Sequence, residues 1–169
     1  MIEVTIKNQV LQDAAVEGAD AFLQAIIHAV KMSIGGELTA ETMPQLTAEQ
    51  TTLLAWDMLH EEVMDGGFVQ LIHNGYGPFI FKNPLAKVMK LWGLRDFSKL
   101  LYEAHTLWVK YGSAIEADCT DDEFMALFEQ FPAFDDLDDS FVEHEEEWTS
   151  AIAHYVDENI ERFVTIEHE

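Results

Sequence analysis

The sequence predicts an all-α fold: a single domain of six or seven helices over residues 1–169. Two Thr-x-x-Glu/Gln capping boxes, which begin at Thr47 and Thr120, mark helix starts. Apolar residues recur at helical spacing along most of the chain. Glycines follow these apolar runs, and a glycine ends a helix readily because it tolerates positive φ. The predicted stops lie at Gly35, Gly66, Gly93 and Gly112.

The predicted elements follow one another without a low-complexity linker or an internal repeat. Apolar and polar residues alternate over residues 2–6, which indicates a short N-terminal strand or a flexible start. Residues 78–81 form an apolar connector, and Asn83 followed by Pro84 is typical of an N-cap and a first helical position. The predicted helices span residues 9–34, 48–65, 68–74, 84–92, 96–111, 121–131 and 140–162.

Residues 62–77 hold four of the nine glycines and form a predicted corner. Gly66 and Gly67 are expected to end one helix, and Phe68 opens a short second one. Gln70 and Asn74 lie four residues apart on one face of that second helix, where they can cap the glycine pair. We therefore predict a structural role for these residues. The structural set comprises Gly66, Gly67, Phe68, Gln70, Asn74 and Gly77.

The pattern Glu-x-x-x-Gly-Gly-Phe-x-Gln at residues 62–70, followed by Asn-x-x-Gly at 74–77, resembles the signature of a bacterial family of domains of unknown function. One member of that family is a DNA mimic, an acidic helical dimer that binds a transcription factor in place of DNA. The resemblance implies a helical fold, a homodimer and a DNA-binding protein as the partner. It spans residues 45–163 and includes Phe134, Leu137, Tyr155, Asn159 and Phe163.

Composition and cysteine content limit the class of protein. With 169 residues, of which 49% are hydrophobic, the chain can bury a core. No apolar run reaches about 18 residues and the N-terminus lacks a signal-peptide pattern, so neither a membrane span nor secretion is expected. Cys119 is the one cysteine, which excludes an internal disulfide and indicates a cytoplasmic protein.

The formal net charge of −23 is the unusual property of the chain, because a charge of about 2–8 suffices to keep a small domain soluble. Residues 116–169 carry 19 acids and one Arg, a net −18, whereas residues 1–115 carry 13 acids and eight bases, a net −5. Residues 82–110 reverse the sign, with six bases and two acids. The acidic excess argues against direct binding to nucleic acid or an anionic membrane and favours a basic protein as partner.

Acidic residues in the last third of the chain are the predicted partner-binding surface. Those at helix N-termini have a structural explanation, because the helix dipole favours them. Those within the last helix have none, since like charges three or four residues apart destabilise a helix. Such carboxylates can meet the Lys and Arg side chains of a partner that normally meet phosphates. The surface comprises Asp118, Asp121, Asp122, Asp135, Asp136, Asp138, Asp139, Glu143, Glu146, Glu147, Asp157, Glu158 and Glu161.

Metal and catalytic sites are only weakly indicated. A stretch that begins at Asp136 matches four positions of a calcium-binding loop, but Phe141 stands where that loop needs glycine. The histidines form neither a Glu-x-x-His nor a His-Glu-x-x-His motif. Cys119 lies among acids, which raise the pKa of a thiol and disfavour a nucleophile. We therefore predict no cofactor, no metal and no catalytic residue.

Three functions are compatible with these features. The favoured one is a non-enzymatic acidic protein that occupies the DNA-binding site of a basic protein such as a transcription regulator. The second is an immunity-type inhibitor that blocks a basic enzyme such as a nuclease. The third is an enzyme or metal protein whose site the sequence does not reveal. Apolar residues outside the acidic region are the predicted dimer contacts: Phe79, Ile80, Phe81, Trp92 and Trp108.

Overall fold

A computed structural model describes residues 1–168, most of which are helical. The all-α class is confirmed, with eight α-helices in these residues where the sequence predicted six or seven. No helix in the described chain is both long enough and apolar enough to cross a membrane. The helices are α1 (Asn8–Glu17), α2 (Ala19–Ser33), α3 (Ala48–His73), α4 (Gly77–Lys82), α5 (Leu85–Leu91), α6 (Arg95–Glu116), α7 (Asp121–Gln130) and α8 (Asp135–Glu158).

The chain packs as two compact units. The terminal unit contains residues 1–57 together with the residues from Glu146 onward, and the central unit contains residues 58–145. One boundary falls inside α3, after Asp57, and the other falls inside α8, before Glu146. Each unit is described separately below, and the single domain over residues 1–169 stays a prediction.

The terminal unit contains a small parallel sheet. Strand β1 (Thr5–Lys7) pairs with β2 (Thr165–Glu167), with Ile6 opposite Ile166. The backbone N–H of Thr165 donates to Val4 O at 2.7 Å and extends this pairing. The predicted N-terminal strand is confirmed, but its partner was not predicted. A three-residue strand is at the short end of the usual range and is stabilised by its pairing rather than by its own sequence.

Of two helix predictions in the terminal unit, the structure confirms one and contradicts the other. The first capping box is formed: Thr47 Oγ1 accepts the Gln50 N–H at 3.1 Å, and Gln50 Oε1 accepts the Thr47 N–H at 2.9 Å. Gln50 Nε2 also donates to Phe163 O at 2.7 Å, so the cap is tied to the buried C-terminal segment. The single helix predicted over residues 9–34 is wrong, because Gly18, with φ 132°, separates α1 from α2.

Gly112 of the central unit lies inside a helix, although the sequence predicted a stop there. The helix α6 continues to Glu116. Gly112 is buried, and a Cβ on it would collide with the indole of Trp108. This glycine therefore makes room for a large ring, and its backbone has no positive φ.

The segment around Asn83 also differs from the prediction. Residues 78–81, expected as a connector, belong to α4. Asn83 Nδ2 donates to Phe79 O at 2.6 Å, so this side chain closes α4 instead of opening the next helix. Pro84 occupies the N-cap position of α5. The reason is that the Asn83 amide finds a carbonyl acceptor in the preceding turn.

Phenylalanines from different elements form the core of the central unit. Phe68, Phe97, Phe134 and Phe141 are fully buried. The rings of Phe97 and Phe141 lie 6.0 Å apart, and those of Phe68 and Phe134 lie 6.5 Å apart. Burial of a side chain of this size stabilises a fold by roughly 1.5–3 kcal/mol. These contacts fix α3, α6 and the first turns of α8 within the unit.

Candidate partner-binding surface

The glycine corner is a kink in α3. Gly67 has φ 76° and ψ −176°, so the helix is interrupted there and starts again at Phe68. A side chain disfavours this φ, and a Cβ on Gly67 would also collide with the carboxylate of Asp138. The positive φ of Gly67 confirms the predicted interruption of the helix. Gly66 has no positive φ, so only one glycine of the pair carries the interruption.

Asp138 caps the part of α3 that follows the kink. Its Oδ1 accepts the backbone N–H of Phe68 at 2.9 Å, a donor that the kink leaves without a helical partner. Burial raises the pKa of Asp138 to about 6; the Phe68 N–H opposes the shift, and the charges of Asp135 and Asp139 add to it. The sequence placed Asp138 in the partner-binding surface. The structure corrects this, because its carboxylate is partly buried and hydrogen bonded inside the corner.

Gln70 and Asn74 bind acids instead of capping the glycine pair. Gln70 Nε2 donates to Glu62 Oε2 and to Asp65 Oδ2, both at 2.9 Å. Asn74 Nδ2 donates to the same Glu62 oxygen at 3.1 Å. These bonds connect the turns on either side of the kink. The Gln70 side chain also occupies the space that a Cβ on Gly66 would need, which explains a glycine at that position.

The remaining members of the structural set pack inside the central unit. Phe68 is fully buried and lies against Phe134. A Cβ on Gly77 would collide with the ring of Trp108, whose Nε1–H donates to Glu116 Oε1 at 3.1 Å. The structure therefore gives each member of the set a contact within the scaffold.

Exposed acids of the central unit concentrate near the starts of α7 and α8. Thr120 is the N-cap of α7, since its Oγ1 accepts the Glu123 N–H at 3.2 Å; the Glu123 carboxylate accepts from the Thr120 hydroxyl at 3.1 Å, so only half of the second capping box is formed. The helix α8 has three acids in its first turn, where the helix dipole stabilises them. Glu143 lies further along the helix, where the dipole gives no such support. The exposed members of the predicted surface in this unit are Asp118, Asp121, Asp122, Asp135, Asp136, Asp139 and Glu143.

The terminal unit carries the other predicted acids, all of them exposed. Arg162, the one base in residues 116–169, contacts two groups outside this set. Its Nη1 lies 3.6 Å from Glu49 Oε1 and 3.2 Å from the Tyr155 hydroxyl. Within the set, Glu158 lies 3.2 Å from His154 Nε2. The predicted acids of this unit are Glu146, Glu147, Asp157, Glu158 and Glu161.

The exposed acids of the predicted surface are mostly without an ion pair in the described residues. Except for Glu158, no acid of the predicted surface forms an ion pair within residues 1–168. Buried Asp57, by contrast, accepts from Lys31 Nζ and Gln24 Nε2, each at 2.9 Å. Glu145, which was also outside the predicted set, lies 2.6 Å from His60 Nε2. The exposed carboxylates are therefore available to cations from outside the chain.

His73 and Cys119 are adjacent in the central unit. A carbonyl only accepts, so His73 Nδ1 donates to Ile115 O at 2.8 Å and Nε2 faces Cys119 Sγ at 3.9 Å. Burial raises the pKa of the Cys119 thiol, and the charges of Glu123 and Asp118 raise it further. This shift favours the neutral thiol, which is a poor nucleophile.

The calcium-loop alternative is wrong. Residues 136–147 lie in the uninterrupted helix α8, whereas a calcium loop must wrap its oxygens around the ion. Over residues 1–168, no three His, Cys, Asp or Glu side chains converge in a geometry that fits a metal ion.

Comparison with known proteins identifies the family. The model of the DMP19-like protein family matches residues 44–159. The chain belongs to this family. It is also 38% identical over 128 residues to the DNA mimic protein DMP19 of Neisseria meningitidis serogroup B (strain ATCC BAA-335 / MC58), which covers 75% of this chain and 77% of the relative. The resemblance to a bacterial family with a DNA-mimic member is thereby confirmed.

The DMP19-like match covers part of the structure described above. It includes the glycine corner, α7 and the whole of α8. All the predicted acids lie within it except Glu161. Both strands, α1 and α2 lie outside it. The part of the chain shared with the family is therefore the part that carries the kink and most of the exposed acids.

Proposed function

We propose that this DMP19-like chain is a non-enzymatic DNA mimic, which occupies the DNA-binding site of a basic protein such as a transcription regulator. The observation that carries the proposal is the set of exposed carboxylates on α7 and α8 that have no ion-pair partner within residues 1–168. The name of the Neisseria relative, a DNA mimic protein, supports the same function. Lys and Arg side chains that bind phosphate also form charge-assisted hydrogen bonds with carboxylates.

The spacing of the acids along α8 suits a partner that binds phosphates. Asp135, Asp139 and Glu143 follow one another at four-residue intervals in the central unit, which is about 6 Å of helix rise per step. One DNA strand presents a phosphate about every 3.4 Å along its axis. Asp136 adds one exposed acid beside the start of this row but begins no second row, because the position four residues on is Ser140. A partner that binds phosphates would therefore also meet the exposed acids at the start of α7.

Competition for a partner tests this function. A basic protein would be captured from a lysate of the source cells at low salt, identified and purified. We expect this chain to displace duplex DNA from that protein, and we expect added salt to weaken the complex because ions screen exposed charges. Simultaneous binding of the chain and DNA, with no loss of affinity for either, would contradict the proposal. A nuclease as the captured partner would instead favour the inhibitor alternative.

Charge-removing variants locate the surface. A triple change on α8 is expected to weaken partner binding by about threefold to about a hundredfold, because each exposed ion pair contributes about 0.2–1 kcal/mol. A matched triple outside the family match removes the same charge and should have a smaller effect. The α8 changes are Glu143→Gln, Glu146→Gln and Glu147→Gln. The control changes, all at exposed acids, are Glu3→Gln, Glu17→Gln and Glu37→Gln. Equal weakening by both triples would mean that net charge, and not this surface, determines binding.

A homodimer, which the family resemblance implies, is part of the proposal, as is a cytoplasmic location. The apolar residues predicted for the interface are mostly unavailable. Ile80, Phe81 and Trp92 are buried in the central unit, which leaves only Phe79 and Trp108 partly exposed. A dimer interface must therefore include residues beyond this predicted set. Light scattering should give twice the chain mass of 19.2 kDa; a monomer at micromolar concentration would remove the dimer from the proposal.

A further inference from the structure

A shallow, open groove with a cationic rim runs along α6 of the central unit, beside the end of α5. Ser98 Oγ donates to Ala86 O at 2.6 Å and holds the two helices together beside it. The groove has a volume of about 540 Å³, and Lys90, Arg95 and Lys99 line it. All three of these side chains are exposed. The groove therefore presents three positive charges on a chain whose net charge is −23.

The cations of the groove have no acidic partner in the described chain. None of the six bases in residues 82–110 forms an ion pair within residues 1–168, although the chain contains 32 acids. Glu103 also lines the groove, so three bases and one acid give a local net charge of +2. Because the fold does not neutralise these cations, they are available to an anionic ligand.

An apolar recess adjoins the cationic groove. Its volume is about 250 Å³, and most of its lining is apolar, including Ile80, Phe81 and Leu101, although Lys87, Asn83 and His105 also line it. Tyr102 lines both the recess and the groove and is 52% exposed. A ligand that lies across Tyr102 would therefore meet cations on one side and an apolar recess on the other.

We propose that this α5–α6 groove is a docking site for an acidic amphipathic segment of a partner protein. Carboxylates of the segment pair with Lys90, Arg95 and Lys99, and an apolar side chain enters the neighbouring recess. Peptide-binding sites commonly combine an apolar anchor with a polar rim in this way. The proposal is independent of DNA mimicry, because it uses different helices and charges of the opposite sign.

Charge and lining distinguish this occupant from two others. A nucleic acid would bring many phosphates into the field of a −23 chain, and it has no aliphatic side chain for the recess. A second copy of the chain, as in the homodimer proposed above, would have to place its own exposed acids in the groove, and the self-association outcome of the test below distinguishes it. A short acidic segment brings few charges, and screening over about 8 Å at physiological salt limits their repulsion by distant acids.

Peptide selection tests the groove. A display library of short random peptides would be selected on the full chain, and the enriched peptides would be made with a fluorescent label. We expect enriched peptides to combine Asp or Glu with Leu, Ile or Phe. The double variant Lys90→Glu/Lys99→Glu should weaken their binding by about tenfold or more, because two attractions become repulsions. Both lysines are exposed, so circular dichroism should show an unchanged fold.

The control variant is Lys82→Glu/Lys110→Glu, which makes the same charge change at exposed lysines that line neither cavity. It should leave peptide affinity within about twofold of the wild type. Equal weakening by both double variants, or enrichment of peptides without acids, would overturn the proposal. Tighter binding of an oligothymidine probe than of the peptides would also overturn it. If the selection enriches no peptide and the chain self-associates in a way that Lys90→Glu/Lys99→Glu abolishes, the proposal is also overturned.

Discussion

Two regions of the central unit use acidic residues in opposite ways. At the glycine corner, Asp138 accepts a backbone N–H, and Glu62 accepts two side-chain amides. On the exposed side of α8, Asp139 and Glu143 form no ion pair within the described residues and lie four residues apart. The corner acids stabilise the backbone, whereas the exposed acids repel one another.

The corner acids therefore affect the stability of the fold, whereas the exposed acids affect partner binding. The amino-acid composition alone does not distinguish the two groups. Removal of an acid at the corner leaves a donor without its acceptor, which lowers the free energy of unfolding. Removal of an exposed acid beyond the first turn of α8, such as Glu143, relieves repulsion and weakens the proposed partner contact. Loss of an acceptor at the corner and loss of such a charge on α8 should therefore change stability with opposite signs.

The largest expected effect comes from Gly67→Ala. The positive φ and the collision with the Asp138 carboxylate should together lower the free energy of unfolding by about 2–4 kcal/mol. Gly75→Ala is the matched control, because Gly75 has φ 88° but open space around its Cβ position. That variant should lose only about 1 kcal/mol. Urea denaturation measures the free energy of unfolding of both variants. Equal losses would show that the collision with the Asp138 carboxylate does not contribute to the effect of Gly67→Ala.

Asp138→Ala should have the next largest effect. The backbone N–H of Phe68 loses its acceptor, which should lower the free energy of unfolding by about 1–2 kcal/mol at neutral pH. Asp138→Asn keeps an oxygen acceptor and carries no buried charge, so it should be at least as stable as the wild type. If the Asn variant is as unstable as the Ala variant, the hydrogen bond from the Phe68 N–H to residue 138 does not stabilise the corner.

The pH dependence of stability tests the buried carboxyl of Asp138 further. Its pKa in the folded state is about 6, above the ordinary 3.8, so the folded state binds this proton more tightly than the unfolded state. The stability that this group contributes is therefore present at low pH and is lost as pH rises from about 4 to about 6. Over this window the Asp138→Asn variant should gain stability relative to the wild type, and the difference should then level off. A difference that does not change with pH would contradict the shifted pKa.

Glu143→Gln should produce the smallest effect, with the opposite sign. It removes repulsion from Asp139, one turn earlier, and should raise the free energy of unfolding by about 0.2–0.5 kcal/mol. Glu3→Gln is the control, because Glu3 is exposed and precedes β1, outside any helix. Thermal unfolding compares the two variants. A clear loss of stability in Glu143→Gln would mean that Glu143 stabilises the fold, as the acids of the corner do.

Local signals predicted much of the fold. The boxes at Thr47 and Thr120 act within four residues, and both mark true helix starts. Gly112 was read as a stop because a glycine after an apolar run usually is one, and the sequence does not show that Trp108 needs its space. The β2 strand depends on a partner about 160 residues earlier in the chain, which no local pattern contains.

The candidate surface was predictable from charge, but the role of each acid was not. The sequence does not distinguish Asp136, Asp138 and Asp139, which are close neighbours of the same residue type. Their side chains leave the helix α8 in different directions. Only Asp138 reaches Phe68, a contact between residues 70 positions apart. The cationic groove was missed for a related reason. Its bases were visible in the sequence, but their lack of acidic partners appears only when the chain is folded.

The pairing of β1 with β2 also gives the terminal unit contacts of very high sequence separation. Ile6 and its partner Ile166 lie 160 positions apart, and the whole central unit lies between them in sequence. Such contacts form slowly, because the entropy of loop closure is lost before the contact stabilises the chain. The central unit is continuous in sequence and has shorter loops to close, so we expect it to fold before the two strands pair.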